Sequence, residues 1–439
     1  MNVAVTTLGC KVNQCESAGM IEEIIRRGHR IVPFHERADV YIVNTCTVTA
    51  RTDYQSRQLI RRAHRLNPKA AIVVTGCYAQ VFPDAAASLP GVALVAGNPE
   101  KEDISSLIEK TALGGRRILV SDIHDLASCT GPFAGRFHGH TRAFLKVQDG
   151  CDAFCRYCIV PIARGRSRSL PGKDVLERAA SLVAAGHREI VLTGVHLGAY
   201  GADLRPQTDL LALCRNIEEG NVLKRLRLSS IEPREVSDEM IAHMRQSRVL
   251  CGHFHIPLQS GDDETLKRMG RDYDRGFFRE RVEKIADALP EAAIGIDVMT
   301  GFPGEDEKAF ENTFEFVESL PVAYLHVFPY SERPGTAAMK LPDRVPDPVK
   351  SLRGRKLRVL GQRKRRAFAE RFLGKTLAVL VEDRRDRSTG MLKGFSRNYV
   401  PVLIEKGDSS LVNREIDVVV MDTTEGRVVG RVQGGGRNG

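Results

Sequence analysis

The sequence predicts an α/β protein of three units: an N-terminal parallel α/β sheet, a central open TIM-like (β/α)6 barrel, and a small all-β barrel of OB-like type at the C-terminus. Three observations predict it. Short apolar runs alternate with helix-periodic stretches over residues 1–113, the pattern of a parallel sheet with helices on its faces. A strand-then-helix unit recurs six times over 142–368. After 373 the helical period disappears and five β-branched runs follow one another, as in a small barrel.

In chain order, runs 2–7, 40–44, 71–75 and 92–96 are the strands of the first unit, with helical periodicity at 15–27 and 54–66 between them. Gly114-Gly115, Gly131-Pro132, Gly135 and Gly139 punctuate a polar stretch at 114–141, read as a linker or irregular bridge. Strands at 142–148, 189–195, 225–231, 253–259, 294–300 and 324–329 build the central barrel, whose chemistry belongs in loops at the strands' C-terminal ends. A basic helix follows at 350–372, with Leu352, Leu357, Leu360 and Phe368 as its apolar face. A solvated surface and a contact to an RNA backbone both suit its Arg363-Lys364-Arg365-Arg366 run. Strands at 376–382, 391–397, 400–405, 415–422 and 428–432 fill the last unit, 373–433, and 434–439 reads as a flexible tail.

At 42% hydrophobic and 27% charged, the 439-residue chain has the composition of a packed protein, not a disordered one. A net charge of +10 favours a polyanionic partner, nucleic acid first, although a basic enzyme has the same signature. No apolar run reaches membrane-spanning length, and 1–7 reads as a strand rather than a leader, so a cytoplasmic protein is expected. Ten cysteines in such a chain point to metal or redox chemistry rather than a disulfide framework.

Cys151, Cys155 and Cys158 form a C-x3-C-x2-C run directly after a strand. Three thiolates at that spacing can hold three irons of a four-iron cluster and leave the fourth iron open to an external ligand. Cys10, Cys46 and Cys77 are distant in sequence, but each stands just past the end of a first-unit strand. In a parallel sheet those ends share one edge, so the three thiols can converge on a second metal centre. Three small buried residues are the alternative. Cys15 is near that edge, and Cys129, Cys214 and Cys251 receive no metal role.

These residues resemble the radical S-adenosylmethionine (SAM) methylthiotransferase family over nearly the whole chain. The Cys151 triplet resembles its radical SAM cluster motif. Gly9-Cys10-Lys11-Val12-Asn13-Gln14, Asn44-Thr45-Cys46-Thr47-Val48-Thr49 and Thr75-Gly76-Cys77-Tyr78 resemble its three further cysteine motifs. His255-Ile256-Pro257-Leu258-Gln259-Ser260-Gly261 and Gly301-Phe302-Pro303-Gly304-Glu305 also fit, and the last unit is similar to a TRAM domain. Residues 10–14 are most similar to the MtaB-type branch. Two departures are Cys15, where many relatives carry an aromatic residue, and Thr193-Gly194-Val195, which matches the Gly-Gly-Glu element of radical SAM enzymes only loosely.

The resemblance implies an N-terminal methylthiotransferase domain at 1–113, a radical SAM core at 142–368 and a TRAM domain at 373–433. It implies two 4Fe-4S clusters, at Cys151/Cys155/Cys158 and Cys10/Cys46/Cys77, together with SAM. The implied reaction is methylthiolation of C2 of N6-threonylcarbamoyladenosine at position 37 of tRNA; isopentenyladenosine tRNA and a ribosomal protein are alternative substrates. Partners would be a tRNA anticodon stem-loop and an electron donor such as flavodoxin or ferredoxin. Both clusters must face one cavity, and non-polar walls are expected around the reaction. Gly194, Ser230, Gln259 and Asp297 are candidate SAM or substrate contacts as strand-end residues, with turn chemistry equally open. Arg164, Arg166 and Arg168 either grip a carboxylate or phosphate or are surface residues. A rival class is an RNA-binding protein with structural zinc, in which His138 or His140 supplies a fourth ligand.

Overall fold

In the computed structural model, which describes residues 1–111, 116–129 and 131–433, the first unit is a fully parallel six-stranded sheet. Its strands are β1 (Asn2–Thr7), β2 (Arg30–Val32), β3 (Val40–Thr45), β4 (Ala71–Gly76), β5 (Val92–Ala96) and β6 (Arg117–Leu119), in the order β2-β1-β3-β4-β5-β6. β3 is buried along its whole length, as expected of a strand with helices on both faces. Ile60 and Ala63 of the helix Ala50–Leu66 cover Tyr41, Val43 and Val74 on one face. Met20 and Ile24 of the helix Lys11–Arg26, with Ile104 and Ile108, cover Val3, Ile42 and Val73 on the other. The edge strands β2 and β6 escape sequence reading because each has three residues and β6 is exposed throughout. β6 also lies past residue 113, within the stretch read as a linker. Gly114-Gly115 and the 434–439 tail fall outside the described residues.

The central unit has β7 (Arg142–Lys146), a two-residue antiparallel pair β8 (Gln148–Asp149) and β9 (Arg168–Ser169), then β10 (Glu189–Thr193), β11 (Leu226–Leu228), β12 (His253–Gln259), β13 (Ala293–Thr300) and β14 (Tyr324–Pro329). Parallel pairing runs β7-β10-β11 and β12-β13-β14. The two halves meet through single bridges, Leu226 with Leu250 and Ser230 with His255. The result is six parallel barrel strands in sequence order, with β7 and β14 as unpaired edges among the described residues.

Alternation sets the two faces of these strands. Phe254, Ile256 and Leu258 of β12 and Ile294, Ile296 and Val298 of β13 enter the outer core with Phe278, Val282 and Ile285. The opposite register puts His253, His255, Asp297 and Tyr324 on an interior cavity. Most residues that line it are polar, because the register that turns the apolar residues of β12 and β13 outward turns their polar residues inward.

The last unit is a closed barrel, β15-β16-β17-β19-β18, made of β15 (Thr376–Val381), β16 (Leu392–Ser396), β17 (Pro401–Ile404), β18 (Glu415–Thr424) and β19 (Arg427–Val432). It caps the N-terminal ends of the central strands. Arg225 reaches Glu415 at 2.5 Å and the Phe395 carbonyl at 3.1 Å. Arg227 donates to the Arg397 carbonyl at 3.0 Å, and the Tyr399 ring lies 4.3 Å from that of His253.

The helix Asp347–Glu370 joins the last two units. Leu357 and Leu360 are buried, but Leu352 is 47% exposed. At 3.6 residues per turn it stands about 140° round the helix from Leu357, so it leaves the apolar face. The basic run is divided. Arg353 is buried against Glu305 at 2.9 Å and Lys364 donates to the Glu318 and Leu320 carbonyls, while Arg355, Arg358 and Arg366 remain exposed. Among the described residues no helix is long and apolar enough to cross a membrane.

Under the cap, Glu189 is fully buried and bonded to Arg225 and Arg227 at 2.8 Å each. Burial opposes its charge, but the two guanidinium groups prevail and bring its carboxyl down to about 2. Its ionised form therefore stabilises the fold fully above the ordinary glutamate range, and that contribution is lost as the pH falls through about 2. Thermal melts between pH 5 and 2 should show this loss, and Glu189→Gln should remove this part of the acid dependence while costing about 3–5 kcal/mol at neutral pH.

Candidate active site

The C-x3-C-x2-C loop begins at Gly150, whose φ of +73° and position leave no room for a side chain: a Cβ would lie 1.8 Å from the Arg166 carbonyl oxygen. The loop is pinned along its length. Cys151 N–H donates to the Gly165 carbonyl (3.1 Å), Arg156 N–H to Met269 (2.9 Å), Cys158 N–H to Cys155 (2.9 Å), and Ala338 N–H to Arg156 (2.8 Å). The three thiols are half-buried. Donors already address their sulfurs: Arg271 Nη1 lies 3.1 Å from Cys155 Sγ, Ala153 N 3.4 Å and His196 Nδ1 3.4 Å from Cys151 Sγ. Hydrogen bonds to sulfur are a standard means of tuning an iron–sulfur cluster. His196 is in turn held by Glu235 at 2.5 Å. Burial works against its charge, but Cys151 and Glu235 raise its pKa to about 11. Arg271 is anchored by Glu232. Burial first, with Cys155 and Cys151 adding to it, pushes the free Cys158 thiol to about 12, so a deprotonated sulfur there needs a positive partner such as a metal.

The second set stands where the strand-end argument puts it. Cys10 caps the helix Lys11–Arg26 beyond β1, Cys46 follows β3, and Cys77 opens the helix Cys77–Val81 after β4. β1, β3 and β4 are consecutive in the sheet, so these ends are neighbours. Two glycines permit the approach. A Cβ on Gly9 (φ +98°) would come within 2.7 Å of Cys46 Cβ, and one on Gly76 (φ +93°) within 2.4 Å of the Thr45 carbonyl oxygen. The Cys46 thiol is raised to about 12, by burial first and then by Cys77 and Cys10 beside it. Cys10 is exposed, so this edge opens outward.

Arg164, six residues after Cys158, joins the two sets. Its buried guanidinium bonds Asn13 Oδ1 (2.6 Å), Glu16 (2.9 Å) and Asp149 (2.9 Å). Asn98 adds a bond to the Ala163 carbonyl at 2.7 Å. Arg333 ties Thr47 (2.7 Å) and Asp53 (2.6 Å) to the segment beyond β14. The first unit is thus docked beside the triplet loop.

Family models match the two halves of this site: "Uncharacterized protein family UPF0004" over residues 2–97 and "Radical SAM superfamily" over 145–317. The Bacillus subtilis protein named threonylcarbamoyladenosine tRNA methylthiotransferase MtaB is 38% identical over 95% of this chain and 93% of its own. Its Aquifex aeolicus namesake is 39% identical over 87% and 93%. The chain belongs to the MtaB-type radical SAM methylthiotransferase family. A tRNA-2-methylthio-N(6)-dimethylallyladenosine synthase from Pelotomaculum thermopropionicum is 31% identical over 95% of this chain and 94% of its own. Among solved structures, the radical SAM methyltransferase TsrM of Kitasatospora setae shares the fold at TM-score 0.52 and 15% identity, over 74% of this chain and 72% of that one.

Membership of this family brings SAM and 4Fe-4S clusters with it, and the residues fit such groups. Both triplets present thiols at a protein edge, with donors or buried cations beside them. Formal charges around the Arg164 node are three cations, Lys101, Lys146 and Arg164, against two carboxylates, Glu16 and Asp149. That positive excess suits an anionic three-thiolate centre.

The candidate SAM and substrate contacts separate in space. Gly194 packs on Gln148, whose Oε1 accepts the His196 N–H, on the Cys151 side. Gln259 is buried at φ +67° with Oε1 unpartnered. Ser230 and Asp297 line the interior cavity together. Asp297 is not a strand-end residue: it lies inside β13, where His255 (2.9 Å) and His326 (3.3 Å) already hold its carboxylate. Arg164 and Arg168 are internal rather than ligand-facing, since Arg168 donates to the carbonyls of Ser128, Arg164 and Arg166. Arg166 stays exposed near Asp152. Cys15 is buried, with its thiol on the Phe144 carbonyl at 3.1 Å, so it pins the first unit to β7. His138 and His140 are exposed, and the imidazole at Cys151 is His196. Sequence reading missed His196, Arg271 and Arg333, because each meets its partner through the fold rather than through a spaced motif.

Anaerobic reconstitution should yield about eight irons and eight sulfides per chain. Gly150→Ala, measured the same way, should retain about four, because it disrupts the triplet loop and leaves the first unit's glycines intact.

Proposed function

We propose that this chain methylthiolates C2 of N6-threonylcarbamoyladenosine at position 37, beside the tRNA anticodon, giving 2-methylthio-N6-threonylcarbamoyladenosine. The observation that carries the reading is the docking of one three-cysteine edge beside another through Arg164. One set alone suits radical generation; the pair suits carbon activation next to a sulfur source. Greater identity to the MtaB relatives than to the dimethylallyladenosine synthase disfavours isopentenyladenosine as substrate.

When bound, the clusters and SAM supply the radical that opens the C2–H bond and the sulfur and methyl group that replace the hydrogen. The protein's part is placement. Cys151, Cys155 and Cys158 hold one cluster, with Arg271 and His196 fixing the thiolates by hydrogen bonds. Cys10, Cys46 and Cys77 hold the other. Arg164 and Arg333 keep the two edges in register, which is the geometric requirement of a reaction between two bound groups. Gly194 and Gln259 are candidate SAM contacts, and Ser230 and Asp297 candidate substrate contacts. The anticodon stem-loop offers an unpaired base that leaves its stack at low cost. The small barrel and exposed Arg355, Arg358 and Arg366 suit its phosphates. A flavodoxin or ferredoxin would deliver electrons, and a tRNA substrate suits a cytoplasmic enzyme.

Nucleoside analysis of tRNA from a strain lacking the gene should show threonylcarbamoyladenosine without its methylthio form. The parent sequence should restore the methylthio form and Cys46→Ala should not. Unchanged methylthio levels in the deletion strain would sink the reading. Stem-loop affinity should fall steeply as salt rises, with a log–log slope that decreases by about one when a phosphate-contacting arginine is neutralised.

A further inference from the structure

A cavity of about 180 Å³ lies where all three units meet: Lys11 comes from the first, Arg227, Ser229 and His253 from the central barrel, and Tyr399 from the small barrel. Most of its charges are already committed. Arg227 serves Glu189 and two carbonyls of the small barrel. Arg142 serves Glu382 at 3.0 Å, and Asp297 is held by its two imidazoles.

Lys11 is the exception. Its ammonium has no hydrogen bond or ion pair with any described residue. Two other wall groups are also unsatisfied: Ser229 Oγ and His253 Nδ1 are buried without a partner among the described residues, in residues 7% and 5% exposed. Buried polar atoms ordinarily find partners, so unpaired ones lining a cavity call for an explanation such as a guest. An uncommitted cation beside two such groups fits a guest that carries an anion and further hydrogen-bonding atoms. Lys11 also directly follows Cys10, so its side chain starts from the sulfur-holding edge where the adenine must come.

We propose that this cavity receives the N6 substituent of the target adenosine and that Lys11 ion-pairs the carboxylate at its end. The inference rests on the substrate reading above. A threonylcarbamoyl group carries one carboxylate, a hydroxyl and urea N–H groups, which match the ammonium and the two unpartnered wall atoms; an isopentenyl group carries none of these. The lysine's flexible stem lets the ammonium follow the carboxylate. Lys11 is thus a specificity-determining residue that acts on the substituent and not on C2.

The test uses reconstituted full-length enzyme and two anticodon stem-loops, one with threonylcarbamoyladenosine and one with its threonine carboxylate converted to the carboxamide. For the parent enzyme, kcat/KM and stem-loop affinity should both favour the carboxylate, by on the order of 100-fold. In Lys11→Met that ratio should fall toward one, and Lys11→Arg should keep most of it; iron content per chain, equal to that of the parent, shows that both variants fold and load. A Lys11→Met enzyme that keeps the parent's ratio, or a parent that does not distinguish the two stem-loops, overturns the subsite while leaving the proposed function standing. A parent that modifies neither stem-loop overturns the proposed function, and the subsite with it.

Discussion

The buried guanidinium of Arg164 is the interaction on which the arrangement depends. It belongs to the segment just after the cysteine triplet, and its partners Asn13 and Glu16 belong to the helix that Cys10 caps. Taking such charges out of water is expensive, and a buried ion pair adds little net stability over an apolar contact. What it supplies is register, because a guanidinium shared among three partners tolerates few geometries. Burial opposes the ionisation of Glu16, yet Arg164, Lys101 and Lys146 hold its carboxyl well below the usual range. The node is therefore charged throughout ordinary pH, and it fixes the spacing of the two cysteine edges.

A second buried node performs the corresponding task at the other end of the central barrel. Glu189 gathers Arg225 and Arg227, and the same two arginines reach into the small barrel. The six-stranded unit is thus clamped at both ends by networks whose members lie far apart in sequence. Its open side is covered as well. Cys15 and its helix lie on β7, and Gly361 of the long basic helix packs on Leu325 of β14. Both unpaired strand edges are shielded in this way from pairing with another chain. Much of the positive charge counted in the sequence is consumed in holding the units together, and the remainder is left for a polyanion.

This explains what was legible beforehand. β1, β5, β12 and β14 run over the residues their patterns indicate, because each is a continuous run with clear punctuation at its ends. β2 and β6 have three residues each and no alternation to read. The cysteine positions were legible because strand ends are local features and a parallel sheet aligns them. The side chains around them were not. Arg164 meets Glu16 across 148 positions, and no local pattern announces such a partner; the same run of arginines looked equally suited to a ligand. Asp297 is no strand-end residue even by its sequence pattern, since it stands in the middle of the 294–300 run, whose limits agree with β13 to within one residue.

The polar cavity bears on the chemistry in a way that apolar walls would not. Radical reactions need water excluded, but they do not need walls without dipoles. Here Arg227, Arg142 and Asp297 each have a fixed partner, so they present oriented charge that need not reorganise during a reaction. Among the described residues, the one wall cation left without a partner belongs to the residue next to Cys10. Fixed groups therefore make up most of the charged wall, and on the proposed reading the uncommitted group stands where substrates of this enzyme class differ. Discrimination at such a point requires no movement of either cysteine edge, because the charge that reads the substituent is separate from the charges that hold the fold.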